Sequence, residues 1–513
     1  MLVGYGLVAV FLTVVIVVLE RSRRVGGGFT EYAVAGRSFG PWYQTMSFMN
    51  TWMPGAVFVS FAGLAAETGV LGFYWVLYSL LIIVLMFFMA TRVHDWGRAG
   101  NLQTQADLLG MRYGSRPVRV VSAVIGAVSA FPWIVMGMQS LGLVFSYLSF
   151  GRISATAAIL VSIGVLAARQ VWTVRMGMRG IVISDMVQSI VAYVIGLLLI
   201  LGLLVWLVSS GHGLGAVPDA HFLLPGPGSD AGPLYLMSLV VTGALGGWCW
   251  PDMFVRLFTA RSAETIKKSA VQAAPFLLVF ATSLTLLGLL GASVPGVSSA
   301  PSTVWFVVAG AGGTLVVALA GVVVLAATMG NVDANLQATG IQMTHDILPA
   351  ATGRDPDPAE ESEDHKESRT AKVTVGVVTI LAALVAATSV KSTTGVADLA
   401  ILSFQGVVQL APTLFFGIFW RRGTALGALG GMVSGIAVAA VLQIQYPTSV
   451  PWLGGMTSGM AALIVNAAVY VAAAVLLPQA PAERARVDAL FENLDCPADP
   501  GEAPVTAPVP TAS

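Results

Sequence analysis

The feature that most constrains this chain is a succession of apolar runs long enough to cross a hydrocarbon core of roughly 30 Å. Away from water each span must satisfy its own backbone hydrogen bonds, so runs of this length fold as membrane helices. Candidate spans lie near 2–19, 42–67, 71–91, 118–148, 153–172, 180–209, 233–254, 269–293, 313–345, 373–390, 395–419, 424–443 and 457–477. The expectation is an all-α polytopic membrane protein with about 13 transmembrane helices. Composition agrees: 56% of the 513 residues are hydrophobic and 10% charged, against about a quarter charged in soluble domains. The net charge of zero offers no basic footprint for nucleic acid, which leaves the lipid bilayer as the expected macroscopic partner. Cys249 and Cys496 are the only cysteines, so no disulfide framework is implied. The first run lacks the basic n-region and cleavage site of a signal peptide and reads as a retained helix.

Thirteen spans put the termini on opposite sides, and basic loops stay in the cytoplasm. "RSRR" at 21–24, Arg92, Arg98, Arg112, Arg116, Arg175, Arg179, the stretch from Arg256 to Lys268, the 346–372 loop, Arg421, Arg422 and the tail all fall on one side. Only Arg152 and Lys391 of the 26 basic residues fall on the other. A multi-pass plasma-membrane protein (the bacterial inner membrane) with an external N-terminus and a cytoplasmic C-terminus follows. Residues 1–478 form the transmembrane domain, 346–372 a charged cytoplasmic loop, and 479–513 a tail expected to be disordered.

Two spans carry Gly/Pro interruptions near mid-membrane: "SFMNTWMPGAVFVSF", with Pro54 and Gly55, and "LVVTGALGGWCWPDMF", with Gly243, Gly246, Gly247 and Pro251. Broken helices in corresponding positions of two halves point to an inverted-repeat transporter with its site near the midplane. Five spans from the second to the sixth and five from the seventh to the eleventh fit that scheme. For either span alone, simple kinking is an equally good account.

Several ordered segments resemble the sodium:solute symporter family. These are "FTEYAVAGRSFGPW", "LGMRYGSRPVR", "GMRGIVISDMVQ" with Ser184, Asp185 and Gln188, "WPDMFVRLFTARSAETIKKSA", and "APTLFFGIFWRRGTALGALGGMVSG". The stretch "HDWGRAGNLQTQADLLGMRYGSRPVRVVSAVIGAVSAFPWIVMGMQSLGLVF" is most similar to monocarboxylate-type members, then to pantothenate-type ones. The resemblance implies a LeuT-like 5+5 inverted repeat with one extra N-terminal and two extra C-terminal helices, the core repeats being about 40–209 and 233–419. It also implies alternating access and symport of a small organic solute, with no cofactor beyond Na+ or H+ as coupling ion.

"AATMGNVDANL" (326–336) falls where the family writes two adjacent hydroxyl residues that, with carbonyls of the broken first core helix, hold sodium. Here those positions are Gly330, without a side-chain oxygen, and Asn331, whose amide oxygen remains a hard ligand. An ungapped match through "PGA" places the backbone ligands around Trp42 and Thr45, and puts Gln44 where proline-type members carry an Asp. In some members the Gly330, Asp333 and Ala334 positions form a second sodium site with the acid at Asp185. Carried over, Asp185 and Asp333 approach one another and share a proton, making transport proton-coupled or weakly sodium-dependent. The competing reading places Asp333 at the cytoplasmic water boundary.

Substrate candidates flank the two breaks: Asn50, Thr51, Trp52 and Met53, then Trp248, Trp250 and Met253, with Trp133 and Gln139 from "FPWIVMGMQSLG". With no Lys or Arg expected at mid-membrane, an anion would use the positive N-terminal end of a half-helix. Trp and Met content favours a small acid with an apolar part over a sugar. Arg256 and Asp252 read as cytoplasmic or supporting pairs. The alternative class is a transporter-like sensor acting with a separate partner. An enzyme is not expected, because His94, His212, His221, His345 and His365 show no metal-ligand or triad spacing within a span and read as solvated loop residues.

Overall fold

The computed structural model describes residues 2–23, 28–229, 231–353, 361–388 and 403–492. Among these, nine helices are long and apolar enough to cross a membrane. α1 (Leu2–Arg21) is followed by α2 (Pro41–Trp52), α3 (Tyr74–Ala99), a short α4 (Gln105–Tyr113) and α5 (Arg116–Leu148). Then come α6 (Ala155–Ser189), α7 (Tyr235–Gly246), α8 (Pro251–Thr259) and α9 (Ala263–Gly291). α10 (Thr314–Gln342), α11 (Glu361–Thr388), α12 (Ala411–Phe419), α13 (Ala425–Gln445), α14 (Ser458–Leu476) and α15 (Pro481–Glu492) complete the order. Small hydroxyl residues start many of them: Thr104, Ser115, Ser154, Ser262, Thr424 and Thr457 each accept a hydrogen bond from the amide three residues on. This satisfies donors that a helix N-terminus otherwise leaves unpaired.

Both expected interruptions are real breaks. After α2, Met53 leaves helical geometry, and the chain resumes as a π turn over Val57–Phe61 and a helix over Ala62–Thr68. After α7, a 3-10 turn at Gly247–Cys249 and an extended Trp250 precede α8. The two broken units are joined where Phe39 N–H donates to Thr259 O at 3.2 Å and Arg261 N–H to Phe39 O at 3.1 Å. α6 also departs from the helix at Gly177 (φ 59°, ψ −147°). That residue must be glycine, because a Cβ would lie 2.4 Å from Tyr32 O as well as requiring a positive φ. The turn separates the spans expected near 153–172 and 180–209.

α10 is the central strut, buried from Ala320 through Gln342 and packed against α5, α6, α1 and α11. The faces of α1, α11, α13 and the 190–209 stretch that turn away from it are studded with exposed Val, Leu and Ile. This is the surface a bilayer covers.

At the end of the bundle that carries the basic residues, Arg112 is fully buried. It donates to Gly417 O and Trp420 O, both at 2.8 Å, capping the carbonyl end of α12 with a cation. The expectation of a disordered tail needs correcting for 481–492. α15 is helical and buries Val487 and Phe491, accepts the Trp96 indole N–H at Leu490 O, and stacks Phe491 under Arg92, Arg112 and Arg421. Residues 493–513, the 354–360 part of the charged loop and the start of the span at 395–419 lie outside the described residues.

Candidate solute and cation site

The polar groups of the membrane interior collect where α2 breaks. Asp185, fully buried, accepts from Ser47 Oγ at 2.7 Å, Asn50 Nδ2 at 2.8 Å and Arg256 Nη1 at 2.7 Å. Asn50 also donates to Gln188 Oε1 at 2.9 Å, and the Tyr193 hydroxyl donates to Met53 O at 2.5 Å. α10 closes on this set so tightly that a Cβ at Gly330 would sit 1.7 Å from Asn50 Nδ2 and 2.9 Å from Asp185 Oδ1. Gly55, in the break itself, lies against Thr328 and Val324 O of α10.

Asp333, one turn further along α10, is fully buried and ion-paired to Arg169 of α6. Arg169 also donates to Ser184 Oγ at 2.5 Å and Thr173 Oγ1 at 3.0 Å. Ser184 and Arg169 are 15 residues apart, about 22 Å in a straight helix, and meet only because the chain folds back at Gly177. Two expectations change. Asp333 does not lie at a water boundary, and the two carboxylates do not face each other unaided. Each has its own guanidinium, Arg256 for Asp185 and Arg169 for Asp333. Nor is the interior free of arginine: Arg169 and Arg256 are both buried. The signal for Arg169 was legible, since an ionisable residue inside "LAARQVW" is a functional candidate by default.

The neighbours of Asn331 also differ from those the resemblance implied. Asn331 Nδ2 donates to Thr51 O at 3.0 Å, so the carbonyl beside Asn331 belongs to Thr51 and not to Trp42 or Thr45. Trp42 is 52% exposed at the start of α2, and the Thr45 hydroxyl turns to Gln272 Oε1 at 2.9 Å on α9. An ungapped match does not determine which turn of α2 faces α10. Gln44 braces the two broken helices through the Thr259 hydroxyl at 2.6 Å.

Of the substrate candidates, Trp133 and Trp250 come together edge to face with centroids 5.9 Å apart, and Phe404, which sequence reasoning missed, completes an aromatic trio. The Trp133 indole N–H finds no hydrogen-bond partner among the described residues. Trp52 turns elsewhere, donating to Ser79 Oγ at 2.9 Å. The Thr51 hydroxyl bonds Ser47 O, Met53 is fully buried, and Gln139 reaches Ala386 O on α11 at 3.5 Å. Trp248 braces α3 through Ile82 O.

From Asn331 a polar stripe runs along α10 through Asn335, Thr339 and Gln342, all buried. Asn335 Oδ1, Thr339 Oγ1 and both amide atoms of Gln342 have no partner among the described residues. The stripe ends at Asp346, which accepts from Thr104 Oγ1 at 2.8 Å and Arg119 Nε at 2.6 Å. His345 is not a solvated loop residue: it lies between Glu367 Oε1 at 2.6 Å and Asp107 Oδ2 at 3.4 Å. Burial works against the Asp107 carboxylate, but His345 and Arg119 outweigh it and hold Asp107 below its ordinary range. Asp107, His345 and Asp346 are close enough to hold a metal ion, yet Arg119 already takes oxygens of both carboxylates.

The fold matches solved transporters. A Na+-coupled sialic acid symporter aligns at TM-score 0.72 with 14% identity, covering 93% of this chain and 98% of that one. A nucleobase-cation-symport-1 family transporter aligns at TM-score 0.53 with 17% identity, covering 89% and 98%. Curated relatives include an uncharacterized symporter of Bacillus subtilis, 24% identical with 82% of this chain and 84% of that one covered. A monocarboxylate transport permease protein of Rhizobium johnstonii is 25% identical, with 79% and 80% covered. A sodium/proline symporter of Staphylococcus aureus is 23% identical, with 85% of each covered. The sodium:solute symporter family model matches residues 32–435. With its broken helices, buried polar centre and that match over most of its length, the chain belongs to the sodium:solute symporter family.

Proposed function

We propose that this symporter imports a small organic acid, a monocarboxylate or a near relative, using a cation gradient. The observation that carries the reading is the trio of Trp133, Trp250 and Phe404 at the second helix break, where Trp250 is extended. It offers an apolar wall and one free indole donor, which suits a short acid better than a polyhydroxylated sugar. The carboxylate is received at the start of the half-helix after Pro54, whose first turn carries no acidic residue. α8, by contrast, already has Asp252 in its first turn. Names of relatives from Rhizobium johnstonii and Corynebacterium glutamicum, both monocarboxylate transporters, support the solute class.

In this reading thirteen helices span the membrane with the N-terminus outside. The Arg119, Asp107 and Asp346 cluster then closes the cytoplasmic side of the polar stripe on α10. The family favours Na+ as the driving ion, with H+ the alternative. The test is uptake of labelled acetate, pyruvate, proline and pantothenate into proteoliposomes under separately imposed sodium and proton gradients. Accumulation of pyruvate or acetate that collapses with the gradient is expected. Accumulation of proline alone, or of none of the four, would sink the reading.

A further inference from the structure

We propose that the Asp333 carboxylate and the hydroxyls of Ser184 and Thr173 form a monovalent-cation site that Arg169 fills from within, as a tethered cation. An arginine on a membrane helix ordinarily extends its head towards the interface. Arg169 lies eight residues before the turn at Gly177, about 12 Å along the helix, yet its guanidinium points inward and is 1% exposed. There it meets one carboxylate and two neutral oxygens, the oxygen set a hard monovalent cation takes.

Charge balance decides what the pocket accepts. Asp185 is paired with Arg256 and Asp333 with Arg169, so the Asp333 carboxylate already has its cation. A sodium ion added here would bring an uncompensated charge into a buried space, which the membrane interior strongly disfavours. With Arg169 neutral, the same carboxylate and hydroxyls would be left one positive charge short, and a free cation would restore the balance. A guanidinium bonded to α6 hydroxyls and an α10 carboxylate also ties these two helices whatever the sodium concentration.

The inference goes beyond the transport reading and holds for any solute. It is tested by counting 22Na+ bound per chain on the purified full-length protein in lipid nanodiscs without solute. Wild type and Asp333→Asn are expected to bind the same number of ions. Arg169→Gln is expected to bind one more per chain than wild type, and Arg169→Gln/Asp333→Asn to return to the wild-type count. A lower count in Asp333→Asn would overturn the proposal, since Asp333 would then already hold sodium. An unchanged count in well-folded Arg169→Gln would overturn it too. Should Arg169→Gln not fold, Arg169→Met, which keeps much of the side-chain length and loses the charge, takes its place with the same expected count of one added ion per chain. Failure of solute uptake in proteoliposomes bears on the transport reading and leaves the ion count unaffected.

Discussion

Restoring the hydroxyl that family resemblance expects at residue 330 should damage this protein. A Cβ on Gly330 would lie 1.7 Å from Asn50 Nδ2 and 2.6 Å from Asn50 Cγ. Ordinary contact needs about 3.5 Å, so the Asn50 amide must move by nearly 2 Å. That shift breaks its bonds to Asp185 Oδ1 and Gln188 Oε1, at 2.8 Å and 2.9 Å. Losing a bond to a buried charge costs about 1.5–3 kcal/mol and orphaning a buried neutral partner about 1–3 kcal/mol. Gly330→Ser should therefore destabilise the fold by roughly 2.5–6 kcal/mol on those terms. Gly330→Ala should cost nearly as much, because the clash comes from Cβ and not from the hydroxyl. Thermal unfolding in detergent, with and without sodium, measures both. Combining either change with Asn50→Ala should be less harmful than the sum of the single effects, since the clash with the Asn50 amide is gone and only the 2.9 Å approach to Asp185 Oδ1 remains. A Gly330→Ser protein as stable as wild type, and further stabilised by sodium, would refute the reasoning.

Three other perturbations separate the working parts. Trp250→Ala should raise the KM for the transported acid tenfold or more, about 1.4 kcal/mol, while Trp250→Phe keeps most of the affinity; equal effects in uptake assays would remove Trp250 from the site. Arg112→Lys keeps the charge but loses the planar fork that holds Gly417 O and Trp420 O. It should cost about 3 kcal/mol or more, read as a lower unfolding midpoint with the KM unchanged at a permissive temperature. Arg119→Ala removes the cation shared by Asp107 and Asp346 and should loosen the basic end by about 1 kcal/mol, roughly fivefold in the open population. Gln342→Cys in a background lacking Cys249 and Cys496 should then react several times faster with an impermeant thiol reagent, and an unchanged rate would mean that the cluster does not close the path.

Much of the architecture is legible in the sequence because the physics behind it is local. A bilayer forces long apolar runs into helices, so most spans could be placed from hydropathy alone. A proline lacks the amide hydrogen a helix needs; Pro132 and Pro275 are carried within their helices, whereas Pro54–Gly55 and Gly247–Pro251, where glycines stand with the proline, break theirs as expected. The polar stretch 331–335 also announced itself, since buried membrane helices rarely carry two amides and a carboxylate without use. The tertiary structure alone decided what those groups meet. Hydropathy does not set the rotation of one helix against another, so an ungapped match put the cation ligands near Trp42, whereas packing brings Thr51 to Asn331. Nor could it pair Asp333 with Arg169, 164 positions earlier, because that contact requires the reversal at Gly177 and the burial of α10 together. The sequence determined which groups would be costly to bury, and the packing of α6, α8 and α10 around α2 determined how each charge is answered.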